Sequence, residues 1–152
     1  MTATNDLIRE LERTRDEALE YFALVEADLA RTYAPGKWSV RHLLHHLTDA
    51  EIVLAERLRR AISEPGHVIW YFDEGAWASS LDYPTRSLEL AKGSFAALRA
   101  TMVELASRHY ERDGAREFVH SKAGLRTVKE EFDKVASHTA HHLGQIRQAL
   151  GR

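Results

Sequence analysis

The sequence predicts an all-α fold, a four-helix bundle with a long crossover connection between the second and third helices. Four stretches carry apolar residues at the three- and four-residue spacing of an amphipathic helix, and no stretch shows the alternation of a strand. Helices of about 20 to 28 residues with one long connection in the middle favour a bundle over a solenoid. Because the chain has 152 residues, we expect residues 1–152 to form one domain.

The first two helices are bounded by turn-forming residues. Apolar residues recur from Leu7 onward, and we expect the first helix to end before the Pro-Gly pair at 35–36. Ser39 is placed to cap the second helix, because its hydroxyl can accept a hydrogen bond from a free backbone amide. The second helix is predicted to continue to about Ser63.

The remaining chain is predicted to hold the crossover and two further helices. Residues 64–84 mix turn formers with aromatics and lack a clear period, so they indicate an ordered connection that has room for a short helix. The third helix is predicted from Leu88 and closes near Asp113-Gly114. Thr127 is placed to cap a fourth helix whose apolar face extends to Leu150.

Composition and charge restrict the partners and the chemistry that we expect. The net charge is −2 with scattered basic residues, so no basic stripe for nucleic acid is present. The N-terminal segment is charged and no apolar run approaches roughly 20 residues, so we expect no membrane span and a cytoplasmic protein. The chain contains no cysteine, and any metal must therefore be held by His, Asp or Glu.

Histidines cluster on the predicted fourth helix, where the segment HTAHHLGQIR contains three of them. On a helical wheel His142 lies about 50° from the centre of the apolar face, His138 about 90° and His141 about 150°. His138 and His142 are four residues apart and share one side of the helix, which suits them to grip one ion. The alternative is that both are polar residues at a bundle seam.

The predicted second helix offers a third ligand. His46 lies about 100° from the apolar centre, whereas His42 and His45 lie about 140° and 160° away. His46 is therefore the best candidate, although a separate surface pair of His42 and His46 stays open. The histidines that we expect to be solvated or locally hydrogen-bonded are His42, His45, His67, His109 and His141.

Two carboxylates fall on apolar faces. Glu51 lies within about 40° of the apolar centre of the second helix, where a carboxylate is costly unless it is paired or near a metal. Glu131 lies two turns before His138 on the same stripe. Either could orient a ligand or accept a proton from water, and either could instead pair with an arginine.

Four motifs resemble the DinB/YfiT-like superfamily: KWSVRHLLHHLTDAE, YFDEGAWASSLDYP, FVHSKAGLRTV and HTAHHLGQIRQAL. The resemblance covers almost the whole chain and is closest to the YfiT-like metal-dependent hydrolases. It implies a four-helix bundle with a long crossover, often a homodimer, that binds a divalent ion through one histidine of the second helix and two of the fourth. By position these ligands are His46, His138 and His142. His120 is followed by Ser121 where the motif usually has proline, which weakens the case for a role of His120 and leaves its participation open.

Three neutral imidazoles leave a coordination position open on zinc or nickel, with manganese or iron as alternatives, and an open site is typical of catalysis. We therefore expect a hydrolase that activates water for attack on a small-molecule substrate, with Glu51 as the base. A second hypothesis is transfer of a low-molecular-weight thiol such as bacillithiol or mycothiol. A third is a dimeric binding or stress-response module without catalysis.

Overall fold

The long helices form a four-helix bundle, as the sequence predicts. The computed structural model describes residues 2–64 and 66–152. Along these residues the helices are, in chain order, α1 (Ala3–Tyr21), α2 (Glu26–Leu29), α3 (Val40–Ser63), α4 (Glu74–Ser80), α5 (Leu88–His109) and α6 (Val128–Leu150). Both α1 and α3 pack against α5 and α6, so α1 and α3 lie diagonally across the bundle. No helix in this described part has the length and apolar character to cross a membrane.

Local capping explains where the long helices begin. The Ser39 hydroxyl accepts a hydrogen bond from the backbone of His42, and this cap starts α3. Thr127 and Glu130 form a reciprocal capping box at the start of α6. Gly151 ends α6 in the left-handed conformation, at φ 73°, which glycine adopts without steric cost. The predicted caps at Ser39 and Thr127 are confirmed.

The first helix is shorter than the sequence predicts. It ends at Tyr21, and a turn leads into the separate helix α2. Val25 precedes α2 in an extended conformation and is 67% exposed. The apolar period continues across this break because Phe22 and Leu29 are buried in the same cluster. No glycine or proline marks the turn, so the pattern alone reads as one helix.

The expectation that no strand is present is wrong. Three short strands, β1 (Val68–Ile69), β2 (Glu117–His120) and β3 (Gly124–Thr127), form a sheet in that order. β1 runs parallel to β2, and β2 runs antiparallel to β3. Strands of two to four residues are too short to show an alternating pattern. Through the pairing of β1 with β2, the sheet connects the crossover to the β2–β3 hairpin that precedes α6.

A buried polar layer divides the interior of the bundle into two apolar clusters. Arg99 of α5 donates to both carboxylate oxygens of Glu51 on α3, at 2.7 and 2.9 Å. It also donates to Thr139 of α6 at 2.7 Å, and to Thr14 and the Leu11 carbonyl of α1 at 2.9 and 3.0 Å. All five guanidinium N–H groups thus have acceptors. The layer joins the four long helices through one side chain.

Candidate metal centre

The structure brings together the three histidines that the sequence singles out. The Nε2 atom of His46 lies 3.0 Å from the Nε2 atoms of both His138 and His142. The Nε2 atoms of His138 and His142 are 3.1 Å apart. α3 supplies His46, and the neighbouring α6 supplies the other two from successive turns. Three ring nitrogens therefore point at one location between two helices.

This arrangement fits a divalent cation. A tetrahedral ion bonded to imidazole nitrogens at roughly 2.0–2.1 Å holds those nitrogens roughly 3.3 Å apart. The observed separations of 3.0–3.1 Å are close to that spacing. Ring nitrogens that converge in a buried place bring lone pairs together, which is unfavourable unless a cation or protons lie between them.

The tautomer of His142 supports the presence of a lone pair at the centre. The Nδ1 atom of His142 lies 2.8 Å from Oε1 of Gln145. An amide oxygen only accepts, so the proton of the neutral ring is on Nδ1 and its Nε2 carries the lone pair. Gln145 thereby fixes both the orientation and the tautomer of the ring.

We expect Gln145→Leu to weaken metal binding roughly 10- to 100-fold, which is the usual cost of losing a side chain that orients a ligand. Isothermal titration of metal-free protein with zinc measures this change. Gln148→Leu is the matched control, because Gln148 lies on the same helix and its side-chain amide donates to the Tyr33 carbonyl at 3.1 Å. Equal affinities for the two variants would contradict the orienting role of Gln145.

Burial keeps the three rings neutral. It lowers the pKa of His46 from 6.5 to about 3, with a smaller contribution from His142. It lowers the pKa of His138 to about 2, assisted by the neighbouring histidines and Lys134. The pKa of His142 is lowered by the same burial. Deprotonated imidazole is the form that binds metals, so the rings are ready to bind at neutral and mildly acidic pH.

Aromatic side chains shield one side of the centre. The Phe72 ring stacks parallel to His46 with centroids 5.9 Å apart, and the Trp38 ring lies 5.2 Å from His46. Phe72 comes from the crossover, and Trp77 of α4 packs against it edge to face at 4.8 Å. The crossover and Trp38 thus cover the His46 ring on that side of the cluster.

A carboxylate that sequence reasoning missed completes the cluster. Oε2 of Glu74 lies 3.5 Å from Nε2 of His46, and the Glu74 side chain is 54% exposed. One ligand atom from each of Glu74, His46, His138 and His142 fits within a span of 4.8 Å. Glu74 lies in the crossover, which has no apolar period, so no pattern in the sequence indicates which way its side chain points.

The structure places Glu51 and Glu131 in ion pairs rather than in this cluster. Both oxygens of Glu51 bind Arg99 in the polar layer. Glu131 lies 3.5 Å from Arg57, and both side chains are buried. Pairing with arginine, the alternative that the sequence left open for both, is the observed arrangement. Glu51 is therefore not available as the base that the sequence analysis assigns to it.

Most of the other histidines behave as expected. His141 is exposed, His42 contacts its capping residue Ser39 at 2.9 Å, and His109 pairs with Asp113 at 2.7 Å. The expectation for His45 is wrong: the ring is completely buried, with no hydrogen-bond partner for either nitrogen among the described residues. Tyr83 of the crossover packs on it at 5.4 Å. A helical wheel cannot foresee this, because the cover comes from the crossover rather than from another bundle helix.

His45 should make the metal-free protein sensitive to acid. Burial lowers its pKa from 6.5 to about 4 in the folded chain. Between these values the unfolded chain binds a proton that the folded chain does not, so stability falls as pH drops below 6.5. We expect this residue to account for about 2 kcal/mol of the loss between pH 7.5 and 5.0. Urea unfolding of metal-free wild type and His45→Leu should show a smaller loss in the variant, and parallel losses would contradict the assignment.

The centre is open to solvent on two sides. Glu74 and His138 line the end of a pocket of about 400 Å³ on one side. Glu74 and His142 line a second pocket of about 380 Å³ on the other, together with Trp38 and Tyr33. A small molecule can therefore reach the converging nitrogens, which suits a catalytic site better than a closed structural one.

Comparison with known proteins identifies the family. A family model described as the DinB superfamily matches residues 10–146. The chain belongs to the DinB superfamily. This confirms the resemblance carried by the four sequence motifs.

Several relatives within the superfamily are named for metal-dependent hydrolysis. A protein of Oceanobacillus iheyensis, "Putative metal-dependent hydrolase OB0413", is 30% identical over 128 residues, which cover 84% of this chain and 73% of the relative. A second protein of that organism, "Putative metal-dependent hydrolase OB0782", is 32% identical over 124 residues, which cover 82% of this chain and 72% of that relative. The solved structure of YfiT from Bacillus subtilis, described as having "an unusual four-helix bundle topology", superposes with a TM-score of 0.88. It is 20% identical, and the match covers 99% of this chain and 90% of YfiT, so it shows the shared DinB fold.

Proposed function

We propose that this DinB protein is a hydrolase that acts on a small-molecule substrate with a divalent ion, zinc or nickel, held by His46, His138 and His142. The observation that carries the proposal is that three neutral imidazole rings converge at a place open to solvent. Their Nε2 atoms lie 3.0–3.1 Å from one another. The names of the relatives support the same activity. Imidazole ligands suit zinc, nickel and iron, whereas magnesium and calcium prefer oxygen.

When bound, the ion supplies Lewis acidity, lowering the pKa of water and polarising a carbonyl or phosphoryl oxygen. The protein supplies the remaining functions. Gln145 fixes the orientation of the His142 ring, and Phe72 stacks on His46 and covers one face of that ring. Glu74 is half-exposed, 3.5 Å from Nε2 of His46, and is the carboxylate that would accept a proton from water at this site.

Turnover by metal-loaded protein tests the proposal. The chain is purified without a nickel column, stripped of metal, reloaded with one metal at a time, and assayed on ester, amide and phosphoester substrates with and without low-molecular-weight thiols. We expect thiol-independent hydrolysis by the wild type and none by a His138→Ala/His142→Ala variant. Turnover only with thiol would favour the S-transferase hypothesis, and absence of turnover throughout would contradict hydrolysis.

We expect Glu74→Gln to lower kcat by about 10²- to 10⁴-fold, the usual contribution of a positioned base, while metal affinity stays nearly constant. Gln keeps the size of the side chain but cannot accept the proton. Steady-state kinetics and zinc titration of the same preparation separate the two effects. Glu89→Gln is the control, since Glu89 is exposed on α5. If metal affinity falls and kcat at full metal loading does not, Glu74 is a ligand instead of a base.

A further inference from the structure

The larger pocket beside the metal centre has a distinctive lining. It begins at His138 and Glu74 and continues away from them between α3, the crossover and the hairpin that precedes α6. One wall is apolar and aromatic, formed by Ala50, Val53, Leu54, Tyr71 and Phe72. The rest of the lining is basic, formed by Arg57, His120, Lys122 and Lys134, with Asp73 beside them. At about 400 Å³ the pocket is large enough for a small metabolite.

The two lysines have no carboxylate partner. Within residues 2–64 and 66–152, neither Lys122 nor Lys134 forms an ion pair within 4.0 Å. The Lys122 ammonium instead lies over the Tyr71 ring, 3.6 Å from its centroid. Surface lysines are usually free to remain hydrated, but Lys134 is only partly exposed and lies in the same pocket as buried Arg57. The positive charges of Arg57, Lys122 and Lys134 therefore line the same open pocket.

Arg57 is buried with one donor unused. It is 3% exposed, and its Nη2 donates to the Trp70 carbonyl at 3.0 Å. Its contact with Glu131 is loose, at 3.5 Å. Its Nε has no acceptor among the described residues. The Nε atom has almost no exposed surface, so Arg57 contributes its positive charge to the pocket lining rather than a free donor.

His120 adds a neutral donor of defined tautomer. Its Nδ1 accepts hydrogen bonds from the backbone N–H groups of Lys122 and Ala123, at 3.1 and 3.0 Å. The proton of the ring must therefore be on Nε2, which is left as a donor on a ring that lines the pocket.

Like charges in the pocket repel one another. Burial lowers the pKa of Lys134; the charge of Glu131 raises it, and the charges of Arg57 and Arg126 lower it. Burial also lowers the pKa of His120, with Arg57 and Lys134 adding to the effect and Glu131 opposing it. Both shifts oppose the protonated state. A bound anion would remove this repulsion, because each cation is stabilised by an opposite charge within a few ångströms.

The nearby carboxylates are already engaged. Asp73 accepts the backbone N–H of Ala76 and caps α4. Glu74 turns toward His46, and Glu131 lies buried beside Arg57. None of them lies within 4.0 Å of either lysine, although the charge of Glu131 favours the protonated form of Lys134.

We propose that this pocket binds an oxyanion of the substrate, a carboxylate or a phosphate, through Arg57, Lys122 and Lys134, and so directs the reactive bond to the metal centre. The apolar wall opposite these residues would hold the carbon skeleton of the same molecule. The inference rests on the proposed function, because it assigns a substrate class to that site. Neutral esters and amides should accordingly be poor substrates.

Anion binding tests this inference independently of turnover. Inorganic phosphate and succinate are titrated separately into metal-free and metal-loaded protein, and binding is followed by the backbone amide NMR signals of Lys122 and Ala123. We expect Lys122→Met and Lys134→Met each to raise Kd about 10-fold or more, because each removes a charged donor but keeps the apolar stem. Lys92→Met is the matched control, since Lys92 is exposed on α5 and does not line the pocket. Circular dichroism and Tm establish that each variant is folded.

Binding of either anion to metal-free protein, weakened by both pocket variants and unchanged in Lys92→Met, would support the inference. Tighter binding of phosphate would indicate a phosphate ester as substrate, and tighter binding of succinate a carboxylate. Absence of binding, or binding that both pocket variants leave unchanged, would overturn the inference. Since the metal-free measurement needs no turnover, failure of hydrolysis and failure of the anion pocket are separate results.

Discussion

Arg99→Met should destabilise the fold by about 3–5 kcal/mol, the usual cost of leaving one member of a buried ion pair without its partner. Arg99 is fully buried and gives both oxygens of Glu51 their hydrogen bonds. Removing it also takes away the guanidinium N–H groups that donate to the hydroxyl oxygens of Thr14 and Thr139. Urea denaturation of purified wild type and variant measures the change in the free energy of unfolding. A variant that fails to fold at all would agree with the largest losses.

A second variant shows whether the unpaired carboxylate causes the loss. Arg99→Met combined with Glu51→Leu removes both charges, and we expect the double variant to be more stable than Arg99→Met alone. Arg108→Met is the matched control, because its ion pair with Glu104 is exposed and should leave the denaturation midpoint unchanged. A double variant no more stable than the single one would contradict an electrostatic origin.

His142→Ala should lower zinc affinity more than about 100-fold, since loss of a side chain that only orients a ligand already costs roughly 10- to 100-fold. His142 supplies one of the converging Nε2 atoms, and the remaining two cannot hold an ion as firmly. Zinc titration and elemental analysis of untagged protein give the affinity and the number of ions per chain.

His141→Ala is the control for this experiment, because His141 is the next residue toward the N-terminus and its side chain is exposed. We expect it to retain about one ion per chain. If the two alanine variants lose metal equally, the assignment of ligands to the inner face of α6 is wrong. If the wild type binds zinc and both variants bind it with the same affinity, the ion binds elsewhere.

Local sequence chemistry accounts for the bundle and for part of the candidate metal centre. The three- and four-residue apolar spacing defines which face of each helix is buried, and Ser39 and Thr127 define where two of the helices begin. The same periodicity places His138 and His142 on one side of α6, and the structure shows their ring nitrogens 3.1 Å apart. These features depend on residues within a few turns of one another, so the sequence is sufficient to predict them.

The errors arise where partners are distant in the chain. The break after Tyr21 has no turn residue, and the short sheet depends on pairing between Val68 and Val119. His45 lies on the polar side of its own helix but is covered by Tyr83 of the crossover. In each case a contact with a remote segment, rather than local propensity, decides the outcome.

By itself the sequence determined the helical bundle, its caps and the shared face of His138 and His142, because helical geometry relates residues three and four apart in a fixed way. The approach of His46 to that pair, across 92 and 96 residues, depends on the packing of α3 against α6. Only the tertiary structure decided the roles of the carboxylates. It placed Glu51 against Arg99, 48 residues away along the chain, and brought Glu74 from the crossover to His46. The role of a carboxylate depends on which charged group it contacts, and the packing of the helices and the crossover determines that contact.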